Sequence, residues 1–228
     1  MKLAIMQPYF FPYLGYFQLI RTVDAFVVYD DVNFINRGWI NRNYILGDAE
    51  KQRITLPLLG ASQNKLINQI EVGGTHKILK SISHSYAKAP HFDAVYPLLE
   101  DILSQTEKNL AHFLDYQLRR ICDHLGLSQQ WYLSSSLARD NGLRGQDKIL
   151  SICEKLGATH YINVPGGKEL YDQYSFEARG ITLSFIQPKP TTYKQFTNDF
   201  IPSLSIIDAI MFNDKSQCEV LLDQYDLA

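Results

Sequence analysis

Short apolar runs alternate with amphipathic segments along this chain. The first run extends from Leu3 to Met6, and a second, from Ala25 to Tyr29, is rich in residues that favour strands. Between the two runs, Phe17, Leu19 and Ile20 mark one apolar face at helical spacing. The pattern therefore predicts a β-α-β unit at the start of the chain.

The same alternation returns in the second half of the chain. Gln146 to Leu156 predicts a helix ended by Gly157, and strands are predicted from Thr159 to Val164 and from Ile181 to Ile186. Two closing helices follow, the second of them with a capping-box start at Ser216-x-x-Glu219. This order favours an α/β fold with a mostly parallel, doubly wound, Rossmann-like sheet and additional C-terminal helices.

A β-hairpin pattern lies between these two alternating parts of the chain. Tyr44 to Leu46 and Arg53 to Leu58 predict a β-hairpin that turns at Gly47-Asp48. Because this hairpin does not fit the alternation of strands and helices, we interpret it as an inserted region. Its presence does not require a second core, and the 228 residues are expected to form a single domain spanning 1–228.

Composition narrows the range of partners. The 22 basic and 24 acidic side chains give a net charge of −2, so we expect no nucleic-acid partner, and any anion must be bound locally. The three cysteines form no Cys-x-x-Cys pair, and the histidines lack metal-ligand spacing, so no disulfide framework or structural metal site is expected. Without a signal peptide or an 18-residue apolar run, the prediction is a soluble cytoplasmic protein that does not insert into membranes.

Polar loops follow the predicted strands of the sheet. They span Gln7 to Tyr16, Asp30 to Asn43, Ser134 to Ser136 and Asn163 to Lys168. In parallel α/β sheets, ligands bind outside the carboxyl ends of the strands. We therefore expect these four loops to surround one cavity.

The loop after the second strand carries the densest set of chemically useful side chains. Asp30 and Asp31 are candidate catalytic carboxylates, one of which could bind Mg²⁺ or polarise an amine while the other caps the loop. Arg37 and Arg42 could bind phosphate or carboxylate, although an internal salt-bridge network would explain them equally well. The candidate substrate-binding residues are Tyr9, Asn33, Trp39, Asn41, Asn43 and Tyr193, the last within a predicted polar lid.

Weaker signals point to anion binding in two other loops. Gly166, Gly167 and Lys168 could surround an anion at a helix start, and Ser135 could contact a phosphate. A plain turn explains either segment nearly as well. Further along the chain, Asp208 lies within an apolar run, and we expect a structural hydrogen bond from it to the N-terminal loops.

Four segments together resemble the WbqC-like family. They are Gln7-Pro8-Tyr9-Phe10-Phe11-Pro12-Tyr13-Leu14-Gly15-Tyr16-Phe17, Tyr29-Asp30-Asp31-Val32-Asn33-Phe34, Arg37-Gly38-Trp39-Ile40-Asn41-Arg42-Asn43 and Leu204-Ser205-Ile206-Ile207-Asp208. The resemblance covers nearly the entire chain. It implies work on sugar-linked intermediates of bacterial O-antigen and other surface polysaccharides.

A remoter resemblance lies at the first helix start. Tyr13-Leu14-Gly15-Tyr16 is similar to the His-x-Gly-His pattern of the nucleotidylyltransferase and pantothenate-synthetase superfamily, with both histidines replaced by tyrosine. This likeness implies a nucleotidylyltransferase-like sheet in which Gln7, Tyr13, Gly15 and Tyr16 position a nucleotide or acyl phosphate. Tyrosine brings no positive charge, so a cation elsewhere must supply it.

These resemblances imply an enzyme that transfers an acyl or aminoacyl group to an amino sugar, either free or nucleotide-linked, with ATP and Mg²⁺ as cofactors. Two alternatives stay open. One is nucleotidylyl transfer to a sugar phosphate, and the other is a protein that binds carbohydrate or nucleotide without catalysis. The partner in each case is a small sugar or nucleotide-sugar molecule.

Overall fold

The computed structural model describes residues 1–137 and 142–228. Ten strands and eight α-helices lie within these residues. The strands are β1 (Lys2–Met6), β2 (Ala25–Val28), β3 (Arg42–Leu46), β4 (Lys51–Thr55), β5 (Leu58–Leu59), β6 (Glu71–Val72), β7 (Gln130–Leu133), β8 (His160–Asn163), β9 (Thr182–Pro188) and β10 (Tyr225–Leu227). The helices are α1 (Leu14–Thr22), α2 (His76–Tyr86), α3 (Phe92–Ser104), α4 (Leu110–Leu125), α5 (Gly145–Leu156), α6 (Gln173–Glu177), α7 (Ile206–Phe212) and α8 (Lys215–Leu222).

Six strands form the central sheet in the order β7-β2-β1-β8-β9-β10. The first five are parallel, and β10 pairs antiparallel with β9. Strand order reverses between β1 and β8, because β2 pairs with one edge of β1 and β8 pairs with the other edge. The predicted mostly parallel, doubly wound α/β fold is confirmed, as are the C-terminal helices.

Helices cover both faces of this sheet. Strand residues alternate between two apolar clusters, with Ala4 and Phe26 in the larger one and Leu3 and Val27 in the smaller one. The larger cluster includes α1, α4, α7 and α8, and the smaller one includes α5 and α6. Burial on both faces explains why the central strands read as unbroken apolar runs.

The inserted region contains two small antiparallel pairs. The predicted hairpin is present as β3 and β4, with Tyr44 opposite Arg53, and its turn is formed by residues 47–50. Strands β5 and β6 pair a short distance further along. Three long helices, α2 to α4, then lead the chain back to the sheet at β7.

Local capping sets several helix ends. Gly126 and Gly157 end α4 and α5 in the left-handed conformation, as the sequence predicts. The predicted capping box at Ser216 and Glu219 is wrong, because the N-cap of α8 lies two residues before Ser216. Asp214 is the N-cap, and Gln217 is its capping-box partner. The two pairs have the same spacing, so the spacing alone does not distinguish the actual N-cap from the predicted one.

Candidate active site

The ends of β2 and β7 bring two acidic and two hydroxyl side chains together. Because Val28 pairs with Leu133, the residues that follow each strand are neighbours. Asp30 is completely buried there, and its Oδ1 accepts hydrogen bonds from the Ser134 hydroxyl and the Ser135 N–H, each at 2.9 Å. Its Oδ2 accepts a hydrogen bond from the Ser135 hydroxyl at 2.5 Å. These bonds fix Asp30 as a link between the two strand ends.

Asp31 faces a lysine that comes from helix α5. The Lys148 Nζ lies 3.0 Å from Asp31 Oδ1 and donates a hydrogen bond of 2.7 Å to the backbone oxygen of the same residue. It also lies 4.8 Å from the ring centroid of Tyr29. The Lys148 and Asp31 side chains are only 10% and 15% exposed, so this ion pair is largely shielded from water. Ser134 also bonds Asp31, which ties both aspartates to one hydroxyl.

A cavity of about 820 Å³ opens above this ion pair. Asp31, Asn33, Ser135 and Lys148 line it, and Arg144 and Gly145 contribute from the start of α5. Within the described residues no side chain caps that helix, and the partial positive charge of a helix N-terminus favours an anion. The lining of the cavity thus combines a carboxylate that is paired with Lys148 and the side chain of Arg144.

The segment around the first helix is only partly buried: Tyr16 lies in the core, whereas Tyr13 is 38% exposed. The Tyr16 side chain is 1% exposed, and its hydroxyl donates a hydrogen bond of 2.9 Å to the Gln7 backbone oxygen. Burial raises the pKa of Tyr16 well above its usual range, so this hydroxyl stays protonated. Gly15 has the Tyr13 ring against it, and Tyr9 packs on Tyr16 with ring centroids 5.5 Å apart. None of these residues lines the cavity beside Asp31.

The later part of the 30–43 loop faces elsewhere. Arg37, Asn41 and Arg42 line a separate groove of about 390 Å³. Asn43 is buried and donates hydrogen bonds to the backbone oxygens of Phe10 and Phe11. Trp39 is 46% exposed. The loop therefore contributes residues to two distinct surfaces, the cavity beside Asp31 and this groove.

The remaining predicted residues also lie away from the cavity. Gly166 and Gly167 belong to a 3₁₀ turn after β8, and Lys168 Nζ lies 5.6 Å from the ring centroid of Phe185. Tyr193 donates a hydrogen bond of 2.7 Å to Asp208. The expectation that all four loops surround one cavity is wrong, because only Asp31, Asn33 and Ser135 of the predicted set line it.

The match to known proteins is as broad as the sequence resemblance. The model of the WbqC-like protein family matches residues 7–220. The chain belongs to this family. It is also 30% identical over 218 residues, which cover 93% of each chain, to a protein of Mycobacterium tuberculosis (strain ATCC 25618 / H37Rv) described as "Uncharacterized protein Rv1507c". No solved structure matches the chain significantly.

The WbqC-like match includes every residue that lines the cavity. One of them, Lys148, was missed by the sequence analysis. Lys148 lies one residue before Ile149 and four before Ile152, on a helix whose apolar face is buried. A charged side chain at the edge of a buried helix face requires a partner, so the position of Lys148 in the helical pattern could have indicated a buried ion pair. The partner itself is 117 residues away along the chain.

Asp208 has different partners from those predicted. Its carboxylate accepts hydrogen bonds from Tyr86, Tyr193 and Gln195, and not from the N-terminal loops. Among the described residues, no group of three or more His, Cys, Asp or Glu side chains could hold a metal ion. Within the same residues, no helix has the length and apolar character needed to cross a membrane.

Proposed function

We propose that this chain is an enzyme of surface-polysaccharide biosynthesis that transfers an acyl or aminoacyl group to the amino group of a sugar. The family membership supports the pathway, and the cavity beside Asp31 supports the reaction. The observation that carries the proposal is that a shielded carboxylate and cationic side chains line the same cavity. An amine and an acyl phosphate need these two kinds of partner.

The chemistry assigns a role to each side. Asp31 would orient the attacking amine and accept the proton that it loses as the new C–N bond forms. The bond from the carbonyl carbon to its phosphate leaving group breaks at the same centre, and the phosphate departs with the electron pair. Arg144 and the N-terminus of α5 would bind the negative charge of that phosphate.

Lys148 and Ser135 would set the geometry of this reaction. The Lys148 ammonium holds the Asp31 carboxylate in position through the ion pair of 3.0 Å and the hydrogen bond to the Asp31 backbone oxygen. Ser135 holds Asp30 through its N–H and its hydroxyl, so the strand end that carries Asp31 is fixed. Preorganised groups of this kind lower the reorganisation needed during reaction.

ATP and Mg²⁺ are part of the proposal. ATP would activate a carboxylic acid as an acyl phosphate or acyl adenylate. Mg²⁺ commonly takes one or two protein carboxylates and completes its shell with phosphate oxygens and water. Asp31 lines the cavity, but its Oδ1 already pairs with Lys148 and Ser134, and both oxygens of Asp30 accept hydrogen bonds. Substrate phosphate oxygens and water would therefore supply most of the Mg²⁺ ligands.

The experiment is a product search with purified protein. The protein is incubated with ATP, Mg²⁺, a panel of amino acids and short carboxylic acids, and nucleotide-linked amino sugars, and products are followed by mass spectrometry. We expect a sugar whose mass rises by that of the acyl group, with AMP or phosphate formed in equal amount. The Asp31→Asn variant should lose this product, while Asp199→Asn, a change at an exposed site, should retain it.

Nucleotidylyl transfer is the second candidate, because the strand order places a reversal between β1 and β8, where nucleotides bind in many α/β sheets. This reaction would release pyrophosphate from a nucleoside triphosphate and a sugar phosphate without any acyl donor. Absence of acylated product across the panel, or full activity in Asp31→Asn, would count against acyl transfer.

A further inference from the structure

The groove lined by Arg37, Arg42 and Arg53 holds three positive charges with no counter-charge. It lies on the β3-β4 hairpin, separate from the cavity beside Asp31. None of the three guanidinium groups forms an ion pair with a carboxylate in residues 1–137 or 142–228. By contrast, other arginines of the chain have carboxylate partners: Arg21, Arg119, Arg120 and Arg179.

The hairpin register explains why these charges are close. Arg42 pairs with Thr55 and Tyr44 pairs with Arg53, so all four side chains lie on the same face. Asn43, Ile45 and Ile54 alternate with them and are buried on the opposite face. Arg42 and Arg53 are therefore diagonal neighbours, a spacing within reach of long side chains. Like charges at this spacing repel one another unless an anion lies between them.

One of the three arginines is anchored by the backbone. Arg42 Nε donates a hydrogen bond of 3.1 Å to the Gly38 backbone oxygen, and its two terminal nitrogens are further donors. Asn41 is fixed by a hydrogen bond of 3.1 Å to the Leu56 backbone oxygen. The floor of the groove is apolar, with Phe34 and Leu56 both buried. A phosphate in this position would meet forked donors against a weakly polar wall.

An aromatic pair borders the same face. Trp39 packs edge-on against Tyr44, with ring centroids 6.1 Å apart, and remains 46% exposed. Tyr44 lies opposite Arg53 in the register, so the ring pair is on the face of the hairpin that carries Arg42 and Arg53. A flat, exposed aromatic face next to guanidinium groups suits a planar base attached to phosphate.

We infer that the arginine groove is a binding site for a nucleoside diphosphate moiety, as found in a nucleotide-linked sugar, with Trp39 stacking on the base. The groove volume of about 390 Å³ fits a diphosphate, whereas one carboxylate would leave two of the three guanidinium groups unpaired. Arg53 was not singled out by the sequence. This inference concerns binding alone, so it does not depend on the reaction proposed for the cavity.

Calorimetric titration of the full-length protein with uridine diphosphate, inorganic pyrophosphate and uridine tests the inference. We expect uridine diphosphate to bind more tightly than pyrophosphate, uridine to bind weakest, and the affinity for both diphosphates to fall as salt rises. Arg42→Gln and Arg53→Gln should each raise the dissociation constant about tenfold, as expected for loss of a charge-assisted hydrogen bond. Lys80→Gln, which removes one exposed positive charge on α2, should leave it unchanged.

Two further variants separate the parts of the site. Trp39→Ala should remove the preference for uridine diphosphate over pyrophosphate while leaving pyrophosphate binding intact. Asp31→Asn should leave binding of both unchanged even when turnover is lost, which keeps this site distinct from the cavity. Equal binding by wild type and the two arginine variants would overturn the inference, and so would tighter binding of farnesyl diphosphate than of uridine diphosphate.

Discussion

Replacing Asp208 with alanine tests whether one buried carboxylate holds the 189–201 segment to the helices beneath it. Asp208 has no exposed surface, and it accepts hydrogen bonds from Tyr86 at 2.9 Å and from Tyr193 and Gln195 at 2.7 Å each. The donors come from α2 and from the segment after β9. Gln195 also bonds both backbone groups of Ile201, which extends the network along the segment.

The magnitude follows from the donors that lose their acceptor. A buried polar group left without a partner costs about 1–3 kcal/mol. The segment is partly exposed, so water can reach Tyr193 after a small rearrangement, whereas Tyr86 is fully buried. We therefore expect Asp208→Ala to lower the free energy of unfolding by about 3–5 kcal/mol. This is a large share of the roughly 5–15 kcal/mol typical of folded domains.

The pH dependence provides an independent check. Burial raises the pKa of Asp208 above its ordinary value of 3.8, although its three hydrogen bonds oppose this shift. A raised pKa in the folded state means that folding favours the protonated acid. The stabilisation is therefore complete below pH 3.8 and is lost as pH rises through the folded-state pKa. Relative to Asp208→Asn, which cannot ionise, the wild type should lose stability over that window.

Urea unfolding followed by tryptophan fluorescence measures both effects, because the chain has two tryptophans. Asp199→Asn is the matched control, since Asp199 lies in the same segment and is exposed. Limited proteolysis should also cut the 189–201 segment faster in Asp208→Ala than in the control. A loss of less than about 1 kcal/mol in Asp208→Ala, the size of one ordinary hydrogen bond, would refute the reasoning.

Three further outcomes follow from the structure. Lys148→Met should lower the free energy of unfolding by about 3 kcal/mol in the same urea assay, because it breaks a largely buried ion pair; no change would contradict this. Tyr16→Phe should lower the free energy of unfolding by about 1 kcal/mol, because it removes the hydrogen bond to Gln7. If the variant lost more free energy of ligand binding than of unfolding, the packing role of Tyr16 would be contradicted. Burial raises the pKa of Cys153 to about 12, so its thiol should react with Ellman's reagent only after unfolding.

The sheet was predictable from the sequence because its signals are local. Leu3 to Met6 and Ala25 to Val28 are unbroken apolar runs, and such runs identify strands buried on both faces. Gly126 and Gly157 marked helix ends because a left-handed C-cap favours glycine whatever the tertiary context. The hairpin was predictable for the same reason, since its two strands and turn are adjacent along the chain.

The composition of the site was predicted only in part because it depends on distant pairings. Asp31, Asn33 and Ser135 were chosen from their positions after strands, and the parallel pairing of β2 with β7 brings them together. Arg53 and Lys148 lie within secondary structure, where a charge usually indicates a solvated face. The prediction of a single cavity was wrong because the later part of the loop has other partners: the Phe10 N–H bonds the Trp39 oxygen and the Leu56 N–H bonds the Asn41 oxygen.

The separation of the two surfaces has an electrostatic reason. Asp31 pairs with Lys148 at 3.0 Å, and an arginine of the groove placed beside it would compete for the same carboxylate. Arginines bound in this way would no longer be available to a diphosphate. Asn33 lines the cavity while the next residue, Phe34, lines the groove, so a single extended step in the chain separates the two regions. The carboxylate can therefore serve an amine, and the arginines can serve phosphate, without neutralising each other.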